Sequence, residues 1–413
     1  MAPRPPVPMT LPYVPSANVA ELKPSATLAV GARAKALKAQ GRPIIDLGMG
    51  EPDFDTPDFI KAAAARAIAG GATKYTAPEG ILPLREAIAA QAAARYAGAD
   101  APTALDVCVS GGSKQVLFNA CFSLFGPGDE VLIPAPAWTS YWDIVRLARA
   151  TPVTVLGDPA NDWKVTVEAL EAAATPRTRG IIVNSPCNPT GAVLAPDELR
   201  AILDLAARRG WWVISDEIYR RIAYDAPAMG ALDLVGARDN LVVVDGVAKA
   251  YAMTGWRIGW AIAPRAVSKM LADLQGQTTS NTSTPSQHAA LAALTERDAA
   301  EESIGAMVRA FKQRRDAALA ILAEPGAPRV VTPAGAFYLY MDVSETPSET
   351  GDAGTAFVNH MLDRHDVAIV PGAAFGSPGW VRLSYAAAER DVVAAVRRIT
   401  DAYRAIRGTA VAV

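Results

Sequence analysis

Apolar residues along this chain fall into two spacings. Short, nearly unbroken runs at Val107–Ser110, Val131–Pro134, Gly180–Val183, Trp211–Ser215 and Leu241–Val244 predict strands buried on both faces, as a mostly parallel sheet requires. Between and around them, apolar positions recur three and four residues apart. This spacing predicts helices at Ala29–Gln40, Asp58–Ala69 (Thr56 as cap, Pro57 near the first turn), Gln115–Phe125 and Pro196–Ala207. Strand and helix alternate, so the middle of the chain reads as a doubly wound α/β domain. Ile44–Leu47 predicts a further short strand, and Gln277–Ser286 a polar loop. Ala299–Leu322 predicts a long helix joining this domain to a smaller one. There Gly335–Tyr340, Val367–Val370 and Trp380–Tyr385 supply strands, and Val392–Ile406 closes the chain as an amphipathic helix.

A chain of 413 residues is long enough for a large core divided between two domains. Its net charge of −2 gives no electrostatic case for a nucleic acid or a membrane surface as partner. No charge-free apolar run is long enough to span a bilayer. The start, MAPRPPVPMTLPYVPSA, is proline-dense and lacks the apolar core of a signal peptide, so it reads as an extended or disordered arm. Cys108, Cys121 and Cys187 have no zinc-like spacing and point to reduced thiols in a cytoplasm. His288, His360 and His365 form neither a metal cluster nor a Ser/His/Asp set, so no metal is expected. Acid–base chemistry at neutral pH then falls to another group.

That group is Lys249. It follows the Leu241–Val244 run and is hemmed in by Val247, Ala248, Ala250, Tyr251 and Met253. Apolar surroundings disfavour the ammonium, lower its pKa and make the amine nucleophilic, as a Schiff-base lysine must be. Eight positions on, the Arg257 guanidinium has the fork geometry for a phosphate. The plainer alternatives are a surface lysine in a loop and an arginine in a structural ion pair. Gly112, Ser113 and Lys114 sit where a strand end turns into a helix, so free N–H groups and the positive end of the dipole converge on an anion site. Asp216 lies at a strand's C-terminal end, where it must either cap the next turn or face a cation. Asn188, between Cys187 and Pro189, either starts a turn or has its amide aimed by one. Asn188, Asp216 and Lys249 each lie just past a strand's C-terminal end, the edge at which parallel sheets bind ligands.

The segment AKAYAMTGWRIGW resembles the lysine segment of the class I pyridoxal-phosphate aminotransferases of fold type I, and more narrowly their bacterial aspartate aminotransferase branch. The resemblance runs from Asn18 to Arg407. It implies a small α/β domain built from both chain ends (18–55 with 325–413), a large cofactor-binding domain (56–324) and an arm (1–17). It also implies pyridoxal 5′-phosphate on Lys249, with Gly112, Ser113, Lys114 and Arg257 at the phosphate. Trp138 would stack on the pyridine ring, Asp216 would pair with its nitrogen, and Asn188 and Tyr219 would donate to its phenolic oxygen. Tyr219 is expected on a helical face shared with Asp216. Tyr75 would reach the phosphate held by the neighbouring subunit, which makes the active unit a homodimer, and Asn281 would approach the neighbour's site. For the substrate, Arg382 would grip the α-carboxylate, Gly50 would lie against it, and Lys114 with Thr27 of the Ser25–Thr27 segment would hold a distal carboxylate.

The implied reaction is ping-pong transfer of the amino group of L-aspartate to 2-oxoglutarate. Prephenate, aromatic or alanine aminotransfer, a lyase on the same fold, and a non-catalytic regulator stand as alternatives. Ala248 departs from the family, which often has a serine there at the cofactor phosphate; a lost hydrogen bond of this kind costs on the order of 1 kcal/mol.

Overall fold

The computed structural model describes residues 14–20, 22, 26–96 and 98–410. Most of the proline-rich arm, Ser25 and the side chain of Thr27 lie outside the described residues. Among the described residues thirteen strands follow in order: β1 Ile45–Asp46, β2 Val107–Ser110, β3 Glu130–Ala135, β4 Thr151–Leu156, β5 Thr178–Asn184, β6 Trp212–Asp216, β7 Leu241–Gly246, β8 Gly259–Ile262, β9 Val330–Val331, β10 Tyr338–Asp342, β11 Val367–Ala368, β12 Val370–Pro371 and β13 Trp380–Ser384.

Seven of these form one sheet in the order β2-β8-β7-β6-β5-β3-β4. Only β8 runs against its neighbours β2 and β7; the β7-β6-β5-β3-β4 pairings are all parallel. Successive residues of a strand point to opposite faces, and here both faces are covered. Val107, Val109, Val213, Leu241 and Val243 enter one core, with Ile60, Leu84 and Leu203 from helices Asp58–Ala69, Leu82–Ala93 and Pro196–Arg209. Cys108, Ile182, Ile214, Val242 and Val244 enter the other, with Leu117, Tyr141 and Leu271 from helices Ser113–Leu124, Ser140–Leu147 and Arg265–Thr278. Two-sided burial is why the strands read as unbroken apolar runs.

The remaining strands form an antiparallel sheet, β12-β13-β10-β9, and a parallel pair, β1-β11. They pack into a third core with Phe357, Met361, Val396 and Ile399. The long helix Arg297–Leu322 belongs to two cores. Ala300 and Ile304 pack with the seven-stranded sheet, and Met307, Phe311 and Ile321 with the smaller one.

Two local expectations are corrected. The polar stretch Gln277–Ser286 is loop only in its middle. The preceding helix runs to Thr278 because the buried Gln275 amide donates to Val109 O, and the next begins at Thr284 with Pro285 in its first turn. Thr56 does not cap Asp58–Ala69. Pro57 takes the cap position, and the Thr56 hydroxyl donates to Ala252 O while accepting from Trp256 Nε1.

Candidate active site

The carboxyl ends of β2, β3, β5, β6 and β7 open onto a cavity of about 400 Å³ roofed by the smaller sheet. Lys249, Asp216, Asn188, Arg382, Lys114 and Trp138 all line it, as do Gly50, Ser113, Tyr219 and Arg257. Residues 199 positions apart touch there: the Lys249 Nζ donates to Gly50 O at 2.6 Å.

Lys249 has no carboxylate within ion-pair distance among the described residues, and the Tyr219 and Phe337 rings lie 5.9 Å from its amine. Burial is the main reason its pKa falls to about 8; Arg382 and Arg257 push the same way and Glu51 opposes them. A sizeable share of the amine is therefore neutral near physiological pH.

Asp216, 4% exposed, ends β6 with no basic partner within ion-pair distance among the described residues. Its Oδ2 accepts from the Tyr141 hydroxyl at 2.7 Å and its Oδ1 from Ile218 N–H at 3.2 Å. Burial lifts its pKa from 3.8 to about 6, and those two hydrogen bonds restrain the rise. An acid whose folded pKa lies above its unfolded value has its neutral form favoured by the fold, although above pH 6 Asp216 is still mostly ionised. Its stabilising contribution is complete below pH 3.8 and lost as pH climbs through about 6. Asp216→Asn, which cannot ionise, should therefore stabilise the cofactor-free protein at pH 8 by roughly 1–2 kcal/mol, allowing for one hydrogen bond the amide cannot accept. Urea unfolding at pH 8 and pH 4 measures this, since the gain must vanish at the lower pH; destabilisation at pH 8 would sink the argument.

Arg382 is 2% exposed and has no carboxylate partner among the described residues. Its Nη1 donates to Asn188 Oδ1 at 2.9 Å and its Nη2 to Gly48 O at 2.6 Å, while Nε has no acceptor among the described residues. The guanidinium lies over the rings of Tyr338 (4.5 Å) and Phe375 (4.9 Å). A buried cation without a counter-ion is costly, so the site is built to receive an anion. Asn188 spends its carbonyl on Arg382, which leaves its NH₂ for a ligand.

A second positive point lies across the cavity. Helix Ser113–Leu124 starts at Gly112, and the N–H groups of Ser113 and Lys114 have no acceptor among the described residues. Gly112 has φ +90°, and a Cβ there would fall 2.5 Å from an Arg257 nitrogen, so only glycine fits. Arg257 donates to Thr254 O and Gly111 O and carries no carboxylate among the described residues. An arginine set against a helix N-terminus is unfavourable by itself and favourable around an anion. The Ser113 hydroxyl is taken by Asp245 O at 3.2 Å. The Lys114 side chain lies against Trp138, its Nζ 4.9 Å from the ring centroid. Burial, then Arg257, lowers its pKa.

Some expected residues are placed differently. Tyr219 is not on a helix: Ile218–Arg220 is a tight turn, because the neighbouring Glu217 carboxylate is held by Ala231 N–H and Arg95. Its hydroxyl still faces the cavity, 2.8 Å from that of Tyr338. Tyr75 is 87% exposed and lies outside the cavity of its own chain. The Asn281 amide donates to Thr282 O, away from the lining. Ala248 lines the cavity without a hydroxyl.

Tyr141 and Tyr338 went unforeseen, since each reads as an ordinary core aromatic. Their polar partners lie 75 and 119 positions away in the chain. The one local signal for Tyr141 is its place on the helical face of Ile144 and Val145, pointing under Trp138 (5.4 Å, edge-on).

Comparison with known proteins bears on this arrangement. Residues 42–399 match the family model described as aminotransferase class I and II. The chain is 42% identical over 395 residues to a Streptomyces avermitilis protein named aspartate aminotransferase, covering 93% of this chain and 95% of that one. It is also 42% identical over 396 residues to a Cereibacter sphaeroides aspartate/prephenate aminotransferase, covering 93% and 97%. The solved aspartate aminotransferase of Thermus thermophilus with maleate superposes with a TM-score of 0.88 at 39% identity, covering 94% of this chain and 99% of that one. The Rhizobium meliloti enzyme superposes equally well at 38% identity, covering 95% and 99%.

Proposed function

Since the chain belongs to the class I and II aminotransferases, we propose that it moves the amino group of L-aspartate to 2-oxoglutarate in two half-reactions, with pyridoxal 5′-phosphate carried on Lys249. The observation that carries this reading is the pairing of a neutralisable buried amine with two separate, uncompensated cationic points in one cavity.

The residues fit that cofactor. Its phosphate suits the free N–H groups of Ser113 and Lys114 with Arg257, its ring nitrogen suits the unpaired Asp216 carboxylate, its phenolic oxygen suits Asn188 NH₂ and Tyr219, and Trp138 offers an aromatic face. When bound, the cofactor supplies a carbonyl that captures amines and a ring that withdraws electrons from Cα.

The chain does the rest. Arg382 takes the substrate α-carboxylate and so fixes which bond at Cα faces the ring. The Lys249 amine, neutral in useful amount, would remove the Cα proton and return it to the carbonyl-derived carbon of the bound cofactor. Asp216 is kept anionic by Tyr141 and Ile218 N–H and holds a proton on the ring nitrogen. Lys114, which lines the cavity against Trp138, offers a second cation for the distal carboxylate, and the helix Ala26–Ala39, which contains Thr27, brings Leu28 to the cavity. The exposed Tyr75 supports a homodimer in which it completes a neighbour's phosphate site. A cytoplasmic protein is in keeping with free Cys108, Cys121 and Cys187, and no helix among the described residues is long and apolar enough to cross a membrane.

Prephenate as a further amino acceptor is the second reading. It is supported by the relatives named for both substrates and by apolar Leu28 and Met49 at the rim, 63% and 42% exposed. The test is to add single amino acids to the loaded enzyme with no oxo acid. L-Aspartate and L-glutamate should abolish its visible absorption at concentrations at least tenfold below those needed for L-alanine or L-tyrosine, as a charged distal contact requires. Equal potency of tyrosine or alanine would leave an aminotransferase but remove Lys114 from substrate choice.

A further inference from the structure

Tyr338 is the buried hydroxyl in the cavity to which the proposed chemistry gives no task. It opens β10, is 1% exposed, and touches three groups already placed. Its hydroxyl is 2.8 Å from that of Tyr219. Its ring carries the Arg382 guanidinium, 4.5 Å from the centroid. The same hydroxyl presses on Gly50, where a Cβ would fall 2.3 Å away. Sheet register explains the grouping. Tyr340 pairs with Arg382 across β10 and β13, so Tyr338, two residues back, shares that face.

Both phenols feel the Arg382 guanidinium, but it stacks directly on the Tyr338 ring. Tyr338 is next to a cation, whereas Tyr219 also feels the Asp216 carboxylate. The more acidic partner of a hydroxyl pair is the better donor, which sets the direction of the bond. We propose that Tyr338 is a positioning residue that donates to Tyr219, so that the Tyr219 proton points into the cavity, and that an anion on Arg382 weakens this donation. Carboxylate binding at one end of the cavity is thereby felt at the phenolic oxygen of the cofactor at the other. The inference rests on the reading that Tyr219 faces the cofactor.

The test is a pH titration of the visible absorption of the loaded enzyme, made on wild type, Tyr338→Phe, Tyr219→Phe and the double variant. Removing the Tyr338 hydroxyl leaves Tyr219 a poorer donor and the phenolic oxygen more negative. The midpoint should then rise by about 0.5 to 1 pH unit, the equivalent of one hydrogen bond. In the Tyr219→Phe background, Tyr338→Phe should add nothing, and the change in midpoint that saturating maleate causes in wild type should shrink in Tyr338→Phe. A midpoint unmoved in Tyr338→Phe, or an equal rise in the Tyr219→Phe background, overturns the inference while leaving the enzyme assignment intact. A wild-type chain that takes up no pyridoxal 5′-phosphate overturns both.

Discussion

Lys249→Ala should lower single-turnover deamination of L-aspartate by at least about 10⁴-fold, the upper range for loss of a positioned acid–base group. Two functions go at once: the attachment point for the cofactor, and the amine that moves the Cα proton. Among the described residues Lys114 is the other lysine lining the cavity, and its amine lies over the Trp138 ring. The fold should survive, because the side chain makes a single hydrogen bond, to Gly50 O, and no ion pair among the described residues. Stopped-flow absorbance with unchanged circular dichroism gives the measurement. Turnover within tenfold of wild type would remove Lys249 from the mechanism.

The second large effect belongs to Arg382. Arg382→Ala should lower kcat/KM for L-aspartate by about 30- to 5,000-fold, the 2–5 kcal/mol typical of truncating one partner of a buried charge pair. Uptake of the cofactor should be spared, because the positive point at Ser113, Lys114 and Arg257 is separate. Arg382→Lys should recover little, since one ammonium cannot serve Asn188 Oδ1, Gly48 O and a carboxylate in the same plane. Steady-state kinetics beside a cofactor titration separates the two terminals; equal losses in both would mean that Arg382 supports the whole cavity and not the substrate.

Much of this arrangement was legible in the chain because it rests on local chemistry. Strands buried on both faces leave unbroken apolar runs, so β2, β3, β5, β6 and β7 and the residues just past them, Lys114, Trp138, Asn188, Asp216 and Lys249, could be read together. Gly112 was legible because a strand running straight into a helix needs a residue free to take positive φ. What failed depended on contacts distant in sequence. The turn at Tyr219 is imposed by Glu217, whose carboxylate is anchored 14 residues onward at Ala231 and back at Arg95. The helix through Thr278 is extended by the burial of Gln275 under Val109. Tyr141 and Tyr338 were hidden because their rings satisfy the hydrophobic pattern and only their single oxygens carry the polar role.

The helix Arg297–Leu322 has a bearing on how the molecule melts. At 26 residues it is about 39 Å long, and it lends one end of its apolar stripe to each of two cores. Neither half is long enough to stand alone in water once its core is lost. Fraying that begins beneath the smaller sheet therefore strips support from Ala300 and Ile304, and loss of the larger sheet does the same to Phe311 and Ile321. The two sheets are bound into one cooperative unit, and backbone amides along this helix should exchange with solvent only through global opening.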